Sequence, residues 1–272
     1  MFYAMGVSMK KVNYHTHCAR CRHAFGTEED YVEKALEYSL DILGFSDHLP
    51  FPGDVFGMRM PYSELEEYIV TVQKLKESYK NKLEILCGFE GEYLKGKEYY
   101  YDSLLKEKKC DYLIMGQHFY EDSYDNMINV YNIDNSEQYI EYANYSIQGM
   151  KSGYFSVFAH PDIIFVNNIA WDDNCSRASD LIIEAAACNN IILEYNANGY
   201  RRGLHEFVDG ERYQYPHIQF WRKAVEAKIP VIIGSDCHEP IQVYDDTVKK
   251  AYYDARELGL NIILEINNMQ KF

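Results

Sequence analysis

Seven short apolar runs, at residues 11–14, 41–46, 83–89, 111–116, 155–159, 191–193 and 230–234, alternate with stretches of helical pattern along the 272-residue chain. Strand alternating with helix implies a parallel sheet, because each strand must be carried back past the sheet by its helix before the next one pairs. So many tandem units, with no Pro/Gly/Ser-rich linker between them, point to one closed barrel over residues 1–272 rather than an open doubly wound sheet. No Gly-x-Gly-x-x-Gly follows a strand and no Walker sequence is present, so a nucleotide-binding fold has no positive support. The helices are read at 31–39 behind an N-cap at Thr27 with acids in its first turn, after a Ser63/Glu66 capping box, and at 97–108, 136–151, 177–188, 217–227 and 243–258. The long stretches 119–134 and 197–216 read as loops, and a short apolar run at 262–264 ends the pattern.

The chemistry sits at the ends of the apolar runs. The first run is followed by His15-Thr16-His17. Residues i and i+2 of a strand point the same way, so these two imidazoles converge on one point, as a metal site requires. A lone His-x-His is equally compatible with two hydrogen-bonded core histidines. The repetition decides the matter: of nine histidines, His15, His17, His23, His48, His118, His160 and His238 all lie at or just after the C-terminal end of a predicted strand, with Glu90 and Asp236 at the same level. In a parallel barrel those ends open on one face, the face that carries active sites. His217 reads as a helix-start residue, and His205 falls in the polar loop after strand six, within reach of a substrate.

The net charge of −15 argues against nucleic acid and against an acidic membrane surface, since both are bound through lysine and arginine. It leaves room for a small anionic substrate, because bound cations reverse the local potential. No segment approaches a membrane span, and residues 1–10 carry no signal-peptide pattern; Met5 and Met9 are alternative starts. Seven scattered cysteines, an odd number, read as free thiols in a reducing compartment, which places the protein in the cytoplasm. Cys18 and Cys21 have CxxC spacing but no second pair, so they read as loop thiols beside the histidines rather than a zinc ribbon.

His15-Thr16-His17, His23, Asp47-His48, Glu90, His118, Ala159-His160-Pro161 and Gly234-Ser235-Asp236-Cys237-His238 together resemble the PHP (polymerase and histidinol phosphatase) family of metal-dependent phosphoesterases, in that family's motif order. The loop from His17 to His23, the run Phe45-Ser46-Asp47-His48-Leu49-Pro50 and the run from Asn196 to Arg201 are most similar to its histidinol-phosphate phosphatase branch. The resemblance implies a distorted (β/α)7 TIM-like barrel and three divalent metal ions, of zinc, iron or manganese. It implies that His15, His17, Glu90 and Asp236 hold the first ion, that Glu90 bridges to a second completed by His118 and His160, and that His23, His48 and His238 hold the third. A mixed imidazole and carboxylate set suits those metals better than calcium, and a carboxylate bridges two cations where a neutral imidazole binds one.

The implied activity is hydrolysis of L-histidinol phosphate to L-histidinol and inorganic phosphate in histidine biosynthesis, by in-line attack of a hydroxide bridging two cations. Asp236, Glu90 and His238 are the catalytic residues of this reading. Arg201 or Arg202 is a bidentate phosphate clamp, with Arg59 and His205 as further substrate contacts. Asp47 is read as orienting a ligand, and Asp162 or His205 as the acid for the leaving alkoxide. Some of the 26 tyrosines line the mouth. Rival readings are a family member acting on another small phosphate or nucleotide ester, a metal-dependent amidohydrolase, and a non-catalytic metal-binding scaffold. A bridging Glu90 on strand three and the His160-Pro161 pair favour the phosphoesterase over the amidohydrolase, which typically bridges its metals from strand four. The oligomeric state is not encoded in any feature of the sequence.

Overall fold

The computed structural model describes residues 10–108 and 110–266; Met5 and Met9 lie outside them. Eight parallel strands pair in chain order: β1 Val12–Asn13, β2 Ile42–Phe45, β3 Glu84–Gly91, β4 Tyr112–Met115, β5 Val157–Phe158, β6 Ile192–Asn196, β7 Pro230–Gly234 and β8 Asn261–Ile262. The sheet curls until the chain just past β1 meets the chain just past β7. There Thr16 bridges Cys237, with His17 N donating to Cys237 O at 3.1 Å. β8 pairs with the opposite end of β7, where Tyr14 Oη donates to Leu264 O at 3.0 Å. The result is a distorted barrel of seven βα units with one added strand.

Both faces of this sheet are covered, so its strands read as continuous apolar runs. The period of two is still visible in what each side chain touches. Ile42, Leu86, Tyr112, Ile114, Val157, Ile192 and Ile232 fill the barrel interior. Their neighbours Leu43, Ile85, Leu113, Phe158, Leu193 and Ile233 join the larger core beneath the helices. That outer layer comprises α1 Glu28–Glu37, α2 Leu65–Tyr79, α3 Glu98–Asp102, α4 Glu137–Ser152, α5 Asp173–Cys188, α6 Asn198–Arg201, α7 Ile218–Ala227 and α8 Asp246–Leu258. Among the described residues no helix is long and apolar enough to cross a membrane.

Several local expectations are corrected. Thr27 does cap α1, with Asp30 completing a capping box, but Ser63 does not cap α2: a 3-10 turn, Tyr62–Glu64, leads directly into the helix. The helix expected at 97–108 becomes a π-turn at Ser103–Glu107, where Lys108 N reaches Ser103 O, and both Leu104 and Leu105 are buried. The loop 119–134 contains a hairpin, Phe119–Glu121 with Met127–Asn129, closed by Asp122 Oδ1 accepting from Tyr124 N and Asn126 N. The loop 197–216 contains α6 and a second hairpin, Leu204–Phe207 with Gly210–Tyr213. Asp209-Gly210, with Gly210 at φ +114°, was a legible hairpin signal there. The last helix starts at Asp246, after a 3-10 turn at Pro240–Tyr244.

Tyr112 is the main polar tie inside the barrel. Its hydroxyl donates to Tyr14 O (2.8 Å) and Phe45 O (3.0 Å), the carbonyls at the ends of the first two strands. Gly44 leaves the room for it, since a Cβ there would stand 2.3 Å from Tyr112 Oη. Tyr112→Phe should therefore lower unfolding free energy by about 1–3 kcal/mol in urea titration, the cost of buried carbonyls losing their donor; an unchanged midpoint would show that the tie carries no stability.

Candidate metal centre

At the C-terminal rim, seven imidazoles and two carboxylates converge: His15, His17, His23, His48, His118, His160, His238, Glu90 and Asp236. His15 and His17 flank the Thr16 bridge and so share a face. Glu90 ends β3, its carboxylate lying over Gly116, where a Cβ would stand 2.1 Å from Oε1. His160 and Asp236, just beyond β5 and β7, sit at φ +31° and +48°. Those left-handed conformations cost energy for residues bearing a Cβ and cluster at functional sites.

Glu90 is the centre of the arrangement. Its Oε2 stands 3.5 Å from His15 Nε2, 3.6 Å from His17 Nε2 and 2.8 Å from His48 Nδ1. Its Oε1 stands 2.7 Å from His160 Nε2 and 3.6 Å from His118 Nε2. Asp236 Oδ1 lies 3.2 Å from His17 Nε2 and 3.7 Å from His15 Nε2. Burial by itself would push both carboxyls up. The histidines override it, His48, His118 and His15 for Glu90 and His15, His17 and His238 for Asp236, so both are held well below the usual carboxylate range. The imidazoles divide in two. Against the downward pull of burial, nearby acids hold three rings above the ordinary histidine value: Glu194, Asp236 and Glu90 for His15, Asp236, Asp47 and Glu90 for His17 (at about 9), and Glu90 and Asp236 for His160. His23, His48 and His238 are pushed down, chiefly by burial, His238 to about 3, and stay neutral with lone pairs available.

The donor set fits cations. His15 Nε2 faces His17 Nε2 at 3.0 Å, and His23 Nε2 faces His238 Nε2 at 2.9 Å. The proton of three of these rings is drawn to Nδ1 by an acceptor: Glu194 Oε1 for His15 (2.8 Å), Cys21 O for His23 (2.9 Å) and Asp236 O for His238 (3.2 Å). At His23 and His238, lone pairs therefore face each other. Two donors that share a cation at about 2.0–2.1 Å sit roughly 3–3.5 Å apart, so a shared cation resolves each contact. Four trios of histidines and carboxylates are close enough to share an ion: His15/Glu90/His160, His15/His17/Asp236, His17/His48/Glu90 and His23/His48/His238.

The outer ring was only partly legible. Asp47, read as orienting His48, accepts from His48 N at 2.8 Å, stands 3.5 Å from His17 Nδ1 and takes the Cys18 thiol at 3.0 Å. Glu194 had a strand-end position but no assigned role. It is fully buried, holds His15 by Oε1 and accepts from His160 N and Asn196 Nδ2 by Oε2, and Gly234 leaves its cradle. Glu92, one alternation beyond Glu90 on the same face of the chain, was missed; its Oε1 accepts from His118 Nδ1 (3.2 Å) and Arg59 Nη2 (2.5 Å). Cys21 belongs to a further trio with His17 and His238, although burial keeps its thiol protonated.

A cavity of about 540 Å³ opens over the cluster. Arg59, Arg201 and Arg202 all border it, but their donors differ. All three Arg201 nitrogens are committed, to Asp245, Ser235 and Gln242, which corrects its expected role as a clamp: it pins α6 to the loop after β7. Arg202 lies over the Tyr131 and Tyr215 rings at 5.9 and 5.3 Å. Arg59, bound to Glu92 by Nη2, has Nε and Nη1 buried without a partner. His205 is exposed on the second hairpin against Arg202 O and does not border the cavity, contrary to expectation. Asp162 is not a leaving-group acid either. It is buried against His217 N (2.6 Å) and Trp221 Nε1 (2.9 Å), and burial pushes its carboxyl up to about 6. His217 begins α7, as read, stacked on Trp171.

A model of the PHP domain matches residues 13–198. A Deinococcus radiodurans protein named "probable histidinol-phosphatase" is 27% identical over 252 residues, covering 87% of this chain and 90% of its own. The histidinol-phosphatase of Bacillus subtilis is 24% identical over 262 residues, covering 85% and 94%. The crystal structure of histidinol phosphate phosphatase from Lactococcus lactis, complexed with zinc, L-histidinol and phosphate, superposes with a TM-score of 0.69 at 17% identity, covering 94% of this chain and 96% of that one.

Removing the charge of Glu194 should loosen His15 without touching the cluster itself. Glu194→Gln is expected to bind zinc about 10–100-fold more weakly in a chelator competition, the usual effect of losing a carboxylate behind a ligating histidine; wild-type affinity would mean that Glu194 only fills space.

Proposed function

This chain belongs to the PHP domain family, and from that premise we propose that it is a metal-dependent phosphatase converting L-histidinol phosphate to L-histidinol and inorganic phosphate. The observation that carries the reading is the pair of facing Nε2 contacts among buried carboxylates, a donor set that wants cations, beneath a cavity bordered by Arg202 and by Arg59, two of whose nitrogens are buried without a partner. We assign three divalent ions: one to His15, His17, Glu90 and Asp236, one to Glu90, His118 and His160, and one to His23, His48 and His238. Imidazole with carboxylate suits zinc, iron or manganese. When bound, such ions supply Lewis acidity, withdrawing charge from phosphoryl oxygens and making a nucleophile available near neutral pH.

The chain's own residues do the rest. Glu90 and Asp236 neutralise part of the cationic charge and fix the spacing of the imidazoles; with His238 they are the catalytic residues of this reading. Glu92, Glu194 and Asp47 hold ligand rings in one orientation. Arg59 and Arg202 approach phosphate from two walls, and a guanidinium matches a phosphoryl edge with paired donors. The bridging carboxylate comes from β3 and the end of β4 supplies His118, which favours the phosphoesterase over the amidohydrolase arrangement. The acidic surface (net charge −15) and the seven free cysteines, six of them buried, support a small-molecule enzyme of the cytoplasm, with one barrel as its domain.

The test combines metal analysis with phosphate release from L-histidinol phosphate, an aryl phosphate and a nucleotide monophosphate. We expect two to three ions per chain and a strong preference for L-histidinol phosphate; metals with turnover of only the aryl ester would reject the substrate, and no metal after reconstitution would reject the chemistry. Arg59→Ala and Arg202→Ala should each lower kcat/KM by about tenfold or more, the scale of a charge-assisted hydrogen bond. Arg201→Ala should instead lower stability, as seen in its denaturation midpoint; the reverse pattern would return the clamp to Arg201.

A further inference from the structure

The walls of the cavity include cations and rings. Arg59 and Arg202 supply fixed positive charge, and Phe119 supplies ring surface, stacked on Phe56 at 4.6 Å with the Arg59 guanidinium beyond it at 5.1 Å. Among the described residues bordering the cavity the only carboxylates are Glu90 and Asp236. Both are buried and committed, Glu90 to the histidines and Asp236 to His17 by Oδ1 and to the Asn196 and Asn198 amides by Oδ2. Glu92, the carboxylate behind Arg59, is fully buried, does not border the cavity, and spends Oε1 on Arg59 and His118.

The neutral acceptors are largely spoken for as well. Asn129 Oδ1 takes Tyr131 N at 3.0 Å, and Gln242 Oε1 takes His238 N at 3.0 Å. Tyr131 and Tyr215, the rings that would otherwise cage an alkylammonium, already carry the Arg202 guanidinium. An ammonium entering this cavity finds, among the described residues bordering it, no carboxylate outside the metal-ligand set, whereas a flat ring meets Phe119.

Resting on the phosphatase reading above, we infer that the enzyme does not recognise the primary amine of its substrate, and that it hydrolyses alkyl phosphomonoesters carrying a heteroaromatic ring but no amine. Selectivity in this site comes from phosphate and ring. The amine of L-histidinol phosphate is tolerated and makes no dedicated contact.

The experiment measures kcat/KM of the metal-loaded enzyme on three esters. These are L-histidinol phosphate, 3-(imidazol-4-yl)propyl phosphate, which lacks only the amine, and 2-aminopropyl phosphate, which keeps the amine and lacks the ring. A charge-assisted hydrogen bond to an ammonium leaves a loss of at least about tenfold when the amine is removed. The inference requires both that the amine-free ester stay within tenfold of L-histidinol phosphate and that the ring-free ester fall by more than tenfold. A loss beyond tenfold for the amine-free ester, or retained turnover of the ring-free one, overturns it. Turnover of the amine-free ester without turnover of L-histidinol phosphate would show that the amine is excluded, overturning the inference and rejecting the substrate proposed above while keeping a phosphatase; turnover of none of the three would overturn both the inference and the phosphatase reading.

Discussion

Everything on the rim depends on a carboxylate buried at the end of β3. Glu90 is 1% exposed, and an ionised carboxylate at that depth costs several kcal/mol unless positive charge surrounds it. Imidazoles near neutrality supply that charge only in part, and three of them are pushed toward the neutral form. The stable solution is a set of cations shared between the carboxylate and the rings. The glycine opposite Glu90, the acids behind His15, His17 and His118 and the left-handed backbone at His160 and Asp236 all serve to hold donors around that point.

Barrel closure brings the donors together. His15 and His17 are separated in sequence from Asp236 and His238 by most of the chain, yet the Thr16–Cys237 bridge makes them neighbours. Hydrophobic burial on both faces of the sheet keeps the strands in register beneath these side chains. A rim built this way can be demanding in spacing, because four of its rings, His15, His23, His118 and His238, are fixed at Nδ1 by an acceptor and offer the other nitrogen.

The arginines show how far local sequence can mislead. Adjacent Arg201 and Arg202 look equivalent as a pair of loop cations. In the fold they face different partners: Asp245 and the Ser235 and Gln242 carbonyls consume the first, while two tyrosine rings support the second at the cavity wall. Arg59, isolated in a Pro- and Gly-bearing loop, ends with two buried nitrogens unpartnered because Glu92 holds its third. Chain distance carries no information about such partners.

The strand order, the parallel barrel and the nine residues on its rim were legible from the sequence alone, because apolar runs and the residues that end them are local features that a parallel sheet must align on one face. The short elements were not: the π-turn after α3, both hairpins and the start of α2 depend on which side chains find room against neighbours distant in sequence. The same holds for Glu92 and Glu194 behind the ligands, and for Asp162 and His205, which chemistry nominated and geometry removed. Residue type and periodicity determined which groups this protein brings to one face. Only tertiary packing decided which of their atoms stay free, because hydrogen-bond partners and cavity walls are set by contacts across the barrel rather than along the chain.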